Sequence, residues 1–174
     1  KKLADFCSRL KYATIPEKVR ERTKWLILDN LGIILGATTL KFGKTLAEYA
    51  KDLGDKKEAT ILGFGLKSSA RNAAFVNGSL SETLEMQDGY TKGGYHPCCG
   101  TISASLAAGE WRKKTGKDLL TAIVAGYEVG NRVAEAIHPT HLSRGFQPTG
   151  TAGTVGAAAA VAKILALNEN QIFN

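Results

Sequence analysis

The sequence predicts an all-α protein, a multi-helix array with at most one short strand-like segment. Three observations carry that prediction. Apolar residues recur at helical spacing through most of the 174 positions. Ala (23) and Gly (19) make up nearly a quarter of the chain, a composition that lets helices pack backbone to backbone. The 4 prolines fall where helices start or stop. The length fits a single helical domain over residues 1–174, large enough to bury roughly 70% of the unfolded surface.

The elements follow in order. Leu3, Phe6 and Leu10 mark a short first helix. Pro16 opens a second of about 20 residues, to Gly36, through Val19, Thr23, Leu26 or Ile27, Leu31 and Ile34. A third spans Lys44 to Leu53, with Gly54 as its stop. Ala59–Gly65 reads as the one extended piece, with too few partners to found a sheet. After Ser68 and Ser69, which can cap, Ala70–Met86 is helical with Ala73, Val76, Leu80 and Leu84 on one face. A glycine-containing loop, Gln87–Tyr95, leads to Pro97, which opens a helix to about Lys114. Thr115-Gly116-Lys117-Asp118 is a turn with a cap, and Leu119–Ile137 is helical, closed by His138-Pro139. A second loop, Thr140–Gln147, precedes Pro148 and an Ala-rich helix to Leu167. Asn168 caps a further helix that the chain cuts short.

Composition excludes several classes. With 44% hydrophobic and 22% charged residues the chain is neither disordered nor low-complexity. Cys7, Cys98 and Cys99 are an odd number without C-x-x-C spacing, so a disulfide scaffold is not expected and a reducing, cytoplasmic setting is. Neither long apolar run, Trp25–Leu35 or Ala152–Leu167, supplies the roughly 20 clean residues of a membrane span. The formal charge of +7 is spread among acids rather than clustered. That distribution and the lack of a zinc-finger or aromatic–basic signature argue against nucleic acid, and a small anionic partner is as compatible with the charge.

Two regions bear chemistry. In Leu84–Pro97, Glu85 and Asp88 lie three apart, which puts them on one side of a helix end, where the macrodipole and mutual repulsion favour a held proton. His96, before Pro97, takes extended geometry at an N-cap, where the positive helix start keeps imidazole neutral and able to accept a proton. A proton-transfer set of His96, Asp88 and Glu85 is one reading; a solvated helix end with a capping histidine is the other. His96, Cys98 and Cys99 do not form a metal site, because adjacent cysteines rarely reach one zinc and a fourth ligand is missing. No cofactor is expected. In the second region, Arg144–Gly156, Arg144 and the exposed amides of a helix start suit a carboxylate or phosphate. Gly150, Gly153 and Gly156 are spaced by three with no preceding strand, so they are not a dinucleotide fingerprint, and close helix packing explains them equally. His138 and His141 flank Pro139 and end a helix.

An ordered series of short motifs spans the chain. It comprises Ile15-Pro16-Glu17-Lys18-Val19, Leu28-Asp29-Asn30-Leu31-Gly32, Ala73-Ala74-Phe75-Val76-Asn77-Gly78-Ser79-Leu80, Glu85-Met86-Gln87-Asp88-Gly89-Tyr90 with His96-Pro97, Gly126-Tyr127-Glu128-Val129, and Arg144 to Gly153. In this series the chain resembles the MmgE/PrpD family, which includes 2-methylcitrate dehydratase, cis-aconitate decarboxylase and iminodisuccinate epimerase. The resemblance implies the N-terminal helical portion of a longer two-domain protein whose smaller α+β lid is absent here. It also implies a metal-independent lyase or isomerase acting on a small di- or tricarboxylic acid, usually as a homodimer. On that basis His96, Asp88 and Glu85 are the candidate acid–base groups, and Arg144, Gln147 and Tyr90 the candidate substrate-binding groups. Three departures stand out: Gln87-Asp88 replaces a frequent pair of aspartates, Glu82 a common histidine, and Gln147 a second active-site histidine. Glutamine orients a carboxylate but cannot shuttle a proton. The reaction expected first is dehydration of a 2-methylcitrate-like acid. The alternatives are epimerisation or decarboxylation within the same family, or a diverged non-catalytic module that binds an acid or self-associates.

Overall fold

The computed structural model describes residues 1–53 and 56–174. Among these the chain is helical, with one small hairpin. The helices are α1 (Lys2–Arg9), α2 (Glu17–Ala37), α3 (Lys41–Asp52), α4 (Ala70–Glu82), α5 (Pro97–Trp111), α6 (Gly116–Ile137), α7 (Thr140–Ser143), α8 (Pro148–Ile164) and α9 (Glu169–Phe173), with a 3₁₀ turn at Tyr12–Thr14. The all-α reading holds. The extended piece is not solitary: β1 (Ala59–Ile61) pairs antiparallel with β2 (Leu66–Ser68), in register Ala59 to Ser68. Ser68, read as a possible cap, lies in the second strand, while Ser69 does cap α4, accepting from the Asn72 amide. The expected stop of α3 at Gly54 lies outside the described residues.

α5 is the centre. It packs on α4, α6 and α8, and α6 and α8 make the most extensive helix pair. Small residues set that closeness. A Cβ on Gly126 would lie 2.7 Å from the Gly156 carbonyl oxygen, and one on Gly156 would lie 2.9 Å from that of Gly126. Gly156 therefore serves helix packing, whereas Gly150 faces open space. On the other side of α5, Ile34, Ile61, Val76 and Leu80 form the largest apolar cluster, which ties α2, the hairpin and α4 together.

Three helices end earlier than their apolar periodicity suggests. α4 stops at Glu82 because Leu84 turns back onto that cluster, and Glu85 adopts a left-handed φ of 51°. α5 and α8 stop with Lys113 and Ala166 in the left-handed region. The amides of Lys114 and Leu167 close back onto the carbonyls of Gly109 and Ala162, as in a Schellman cap. The predicted capping turn at Thr115 and Asp118 is present as a reciprocal capping box. Within the expected loop Thr140–Gln147, the structure holds the short helix α7. Among the described residues no single helix is long and apolar enough to cross a membrane.

Candidate functional site

The early end of α4 reshapes the first candidate region. Glu85 and Asp88 do not share a helix side, because both lie beyond the last helical residue. Glu85 is exposed. Asp88 is half-buried and turned toward α5: its Oδ1 accepts the Cys98 amide at 3.1 Å and its Oδ2 accepts the Tyr127 hydroxyl at 2.9 Å. The carboxylate thus caps the start of α5, where negative charge is favoured, rather than the end of α4, where it is not. The reason for expecting a held proton at that position is removed. Burial foremost, and then the negative Asp88, push the Tyr127 phenol well above its usual range, so Tyr127 remains a donor.

His96 is the N-cap residue of α5 with extended backbone, as its place before Pro97 requires. Its ring makes its hydrogen bond to neither carboxylate. Nδ1 lies 2.7 Å from the main-chain oxygen of Asp88. A carbonyl only accepts, so Nδ1 carries the proton, and in the neutral ring Nε2 holds the lone pair. The His96 amide donates to Thr149 Oγ1 at 3.1 Å, which brings the start of α8 against the start of α5. The two regions singled out in the sequence therefore meet, but through the backbone of His96.

The second region's side chains play local roles. Gln147 is the N-cap of α8, with Oε1 accepting the Thr149 amide at 3.1 Å. Arg144 is exposed at the end of α7. Neither lines a cavity with Asp88.

A cavity of about 550 Å³ does open beside Asp88. Its walls are Arg22, Trp25 and Asp29 from α2, Met86, Asp88 and Tyr90 from the loop, Pro97 at the start of α5, and Tyr127 and Asn131 from α6. The loop that carries Asp88 and Tyr90 is fastened to one stripe of α6. Tyr127 donates to Asp88, Tyr95 donates to Asn131 at 2.7 Å, and Tyr90 donates to Glu135 at 2.7 Å. Residues 127, 131 and 135 are four apart and so share a helix face. The loop closes on itself through the Tyr90 amide, which donates to the Tyr95 carbonyl at 2.8 Å. Gly93 and Gly94 let it pass close to α6 and to the His138 ring; a Cβ on Gly94 would lie 2.7 Å from that ring.

Sequence reading missed Tyr127 and Asn131 as site residues, along with Arg22 and Asp29. The available signals were the spacing of four between Tyr127, Asn131 and Glu135 and the place of Asp29 and Tyr127 in two of the quoted motifs; for Arg22 there was none. Cys98 is buried, and hydrogen bonding with Cys99 foremost, together with burial and the nearby Asp88, pushes its thiol far above the usual range. It is a neutral packing group. Among the described residues no group of three or more His, Cys, Asp or Glu is placed to hold a metal ion.

The profile of the MmgE/PrpD N-terminal domain matches residues 1–174. A cis-aconitate decarboxylase-like protein, oryM, of Aspergillus oryzae is 29% identical over 95% of this chain and 36% of its own length. Cis-aconitate decarboxylase of Aspergillus terreus is 24% identical over 98% of this chain and 36% of its own. The human cis-aconitate decarboxylase is 29% identical over 93% and 35%. The chain thus spans about a third of the length of the curated relatives it matches.

Proposed function

The chain belongs to the MmgE/PrpD family, and from that premise we propose that it forms the helical part of a lyase acting on a small di- or tricarboxylic acid. The observation that carries this reading is the hydrogen bond from His96 Nδ1–H to the main-chain oxygen of Asp88, which ties the ring to a residue lining the cavity of about 550 Å³, although His96 itself is not part of that lining. A neutral imidazole with a free Nε2 is suited to take a proton near pH 7 and, once charged, to return one to a substrate carbon.

In this proposal His96 is the acid–base group. Asp88, with both carboxylate oxygens engaged, is a positioning residue that holds the loop and the start of α5 in place. Arg22 supplies a cation at the cavity wall for a substrate carboxylate, with Tyr90 and Asn131 as polar contacts. Glu85, Arg144 and Gln147 are exposed and, like His96, are not among the residues lining this cavity, so in this proposal they act only where further protein covers that face. Because the relatives are named for decarboxylation of cis-aconitate, that is the reaction we place first. Dehydration of 2-methylcitrate is the second, and there the demand on His96 is the converse: the neutral ring takes a proton from carbon, and the hydroxyl leaves as water.

The test is an assay of the full-length protein that carries this chain, following CO₂ release from cis-aconitate and water loss from 2-methylcitrate. Turnover of either acid should fall about 10²–10⁴-fold in His96→Gln. Unchanged turnover in that variant removes His96 from the chemistry. Saturable binding of both acids without turnover replaces the lyase reading with a non-catalytic acid-binding module.

A further inference from the structure

A second recess, of about 370 Å³, lies between the end of α1, the start of α6 and the end of α8. Three ammonium groups line it, those of Lys11, Lys114 and Lys163, with one carboxylate, Asp118. One oxygen of that carboxylate is taken up by a helix cap, and its charge bears on Lys114 rather than on Lys163. That oxygen, Oδ2, accepts both the Thr115 amide at 3.0 Å and the Thr115 hydroxyl at 2.7 Å, closing the cap of α6. The recess also opens at the start of a helix of 22 residues, whose positive pole adds to the lysines.

Lys163 is the telling residue. It is half-buried near the end of α8, and burial holds its ammonium below the usual lysine range. Its Nζ donates to the Ser8 carbonyl at 2.8 Å, and none of the ion pairs in the described structure includes it. The nearby Cys7 offers no negative charge, since burial pushes its thiol up. Fully buried lysines are almost always paired; half-buried Lys163 has a carbonyl as its hydrogen-bond partner, and that uses one of the three donors of an ammonium. More positive charge borders the recess: Arg20 and Lys117 sit over the Tyr12 ring at 5.0 and 5.5 Å, and Tyr12 itself lines it.

We propose that this recess is a binding site for a small multivalent anion, with Lys163 as its inner contact and Lys11 and Lys114 as its outer clamp. The site is separate from the cavity beside Asp88 and does not depend on the reading given to that cavity. The ligand supplies the counter-charge that Lys163 lacks, and the exposed lysines add electrostatic attraction that salt screens. Both phosphoryl and carboxylate groups meet this chemistry, and Tyr12, Leu10 and Ile164 give the recess an apolar rim that neither demands nor excludes a larger body.

The experiment is calorimetric titration of the full-length protein that carries this chain with pyrophosphate and, separately, with citrate, at about 0.1 M salt. Saturable one-to-one binding is expected for at least one of the two, weakened tenfold or more in Lys163→Met, which keeps the apolar stem. The exposed double variant Lys11→Gln/Lys114→Gln should weaken it to a similar extent without threatening the fold. The charge-matched pair Lys41→Gln/Lys44→Gln, on a helix that lines no part of the recess, should leave it unchanged. Which of the two titrants binds separates a phosphoryl site from a carboxylate site. Absence of saturable binding to both, or equal affinity in the wild type and the Lys11/Lys114 variant, overturns the proposal.

Discussion

The hydroxyl of Tyr127 donates to Asp88 Oδ2 at 2.9 Å, joining the middle of α6 to the loop before α5 across 39 positions of sequence. Together with the Cys98 amide on Oδ1, it leaves Asp88 with both carboxylate oxygens engaged. Removing the phenolic oxygen leaves a half-buried acceptor without its donor. Tyr127→Phe should therefore lower stability by about 1.5–3 kcal/mol, the range for hydrogen bonds to charged groups, as read from urea denaturation. A loss below about 0.5 kcal/mol would mean that water replaces the phenol without cost.

The imidazole of His96 should be found in the Nδ1–H form. Nitrogen-15 shifts of the labelled ring at pH 7.5 test this directly, because the two ring nitrogens of a neutral histidine resonate far apart. Nδ1 is expected at the protonated position and Nε2 at the lone-pair position. The reverse assignment would break the link to the Asp88 carbonyl and with it the proposed base.

Two glycine-to-alanine changes should have opposite effects. In α6, a Cβ on Gly126 meets Thr101 Cγ2 at 2.5 Å and the Gly156 carbonyl at 2.7 Å, and the backbone atom cannot swing aside. Gly126→Ala is expected to destabilise by about 1–3 kcal/mol through overpacking. In α2, nothing lies within 4 Å of a Cβ on Gly32. Gly32→Ala should stabilise by about 0.5–1 kcal/mol through helix propensity alone. Thermal melts of the two variants should shift to opposite sides of the wild type.

The α6 cap should show itself in acid. The Thr115 hydroxyl and then its amide hold the Asp118 carboxyl below the usual carboxylate range. A depressed folded value means that the unfolded chain binds the proton first, so this contribution is complete above the unfolded value of about 3.9 and is lost as pH falls through the folded one. Wild type should therefore be more stable than Asp118→Asn at pH 6, and the gap should close by about pH 2. A gap independent of pH would show that the carboxylate's charge plays no part.

Much of the helical order was legible because periodicity, proline and capping serines or threonines are local signals. Pro16, Pro97 and Pro148 each stand at the start of a helix, and Thr115 with Asp118 closes the predicted cap. The ends were less legible for a physical reason. Lys113 and Ala166 take the left-handed conformation that usually advertises itself as glycine, so the stops of α5 and α8 carry no sequence mark. The stop of α4 depends on Leu84 finding a distant cluster, which no local pattern states. That single boundary decided the electrostatics of Asp88, moving it from an unfavourable helix end to a favourable helix start. His96 and Asp88 were both read as site residues, yet the contact between them runs through a carbonyl, and a main-chain oxygen has no letter in the sequence.

That carbonyl sets a rule for how the site can diverge. Whatever amino acid occupies position 88, its peptide oxygen remains, so the imidazole keeps its tautomer even when the side chain there is exchanged. Asp88→Ala and Asp88→Asn should disturb the fastening of the loop while leaving the nitrogen-15 pattern of His96 in place. One residue thereby serves twice: its side chain fastens the loop to α5 and α6, and its backbone oxygen sets the tautomer of the base.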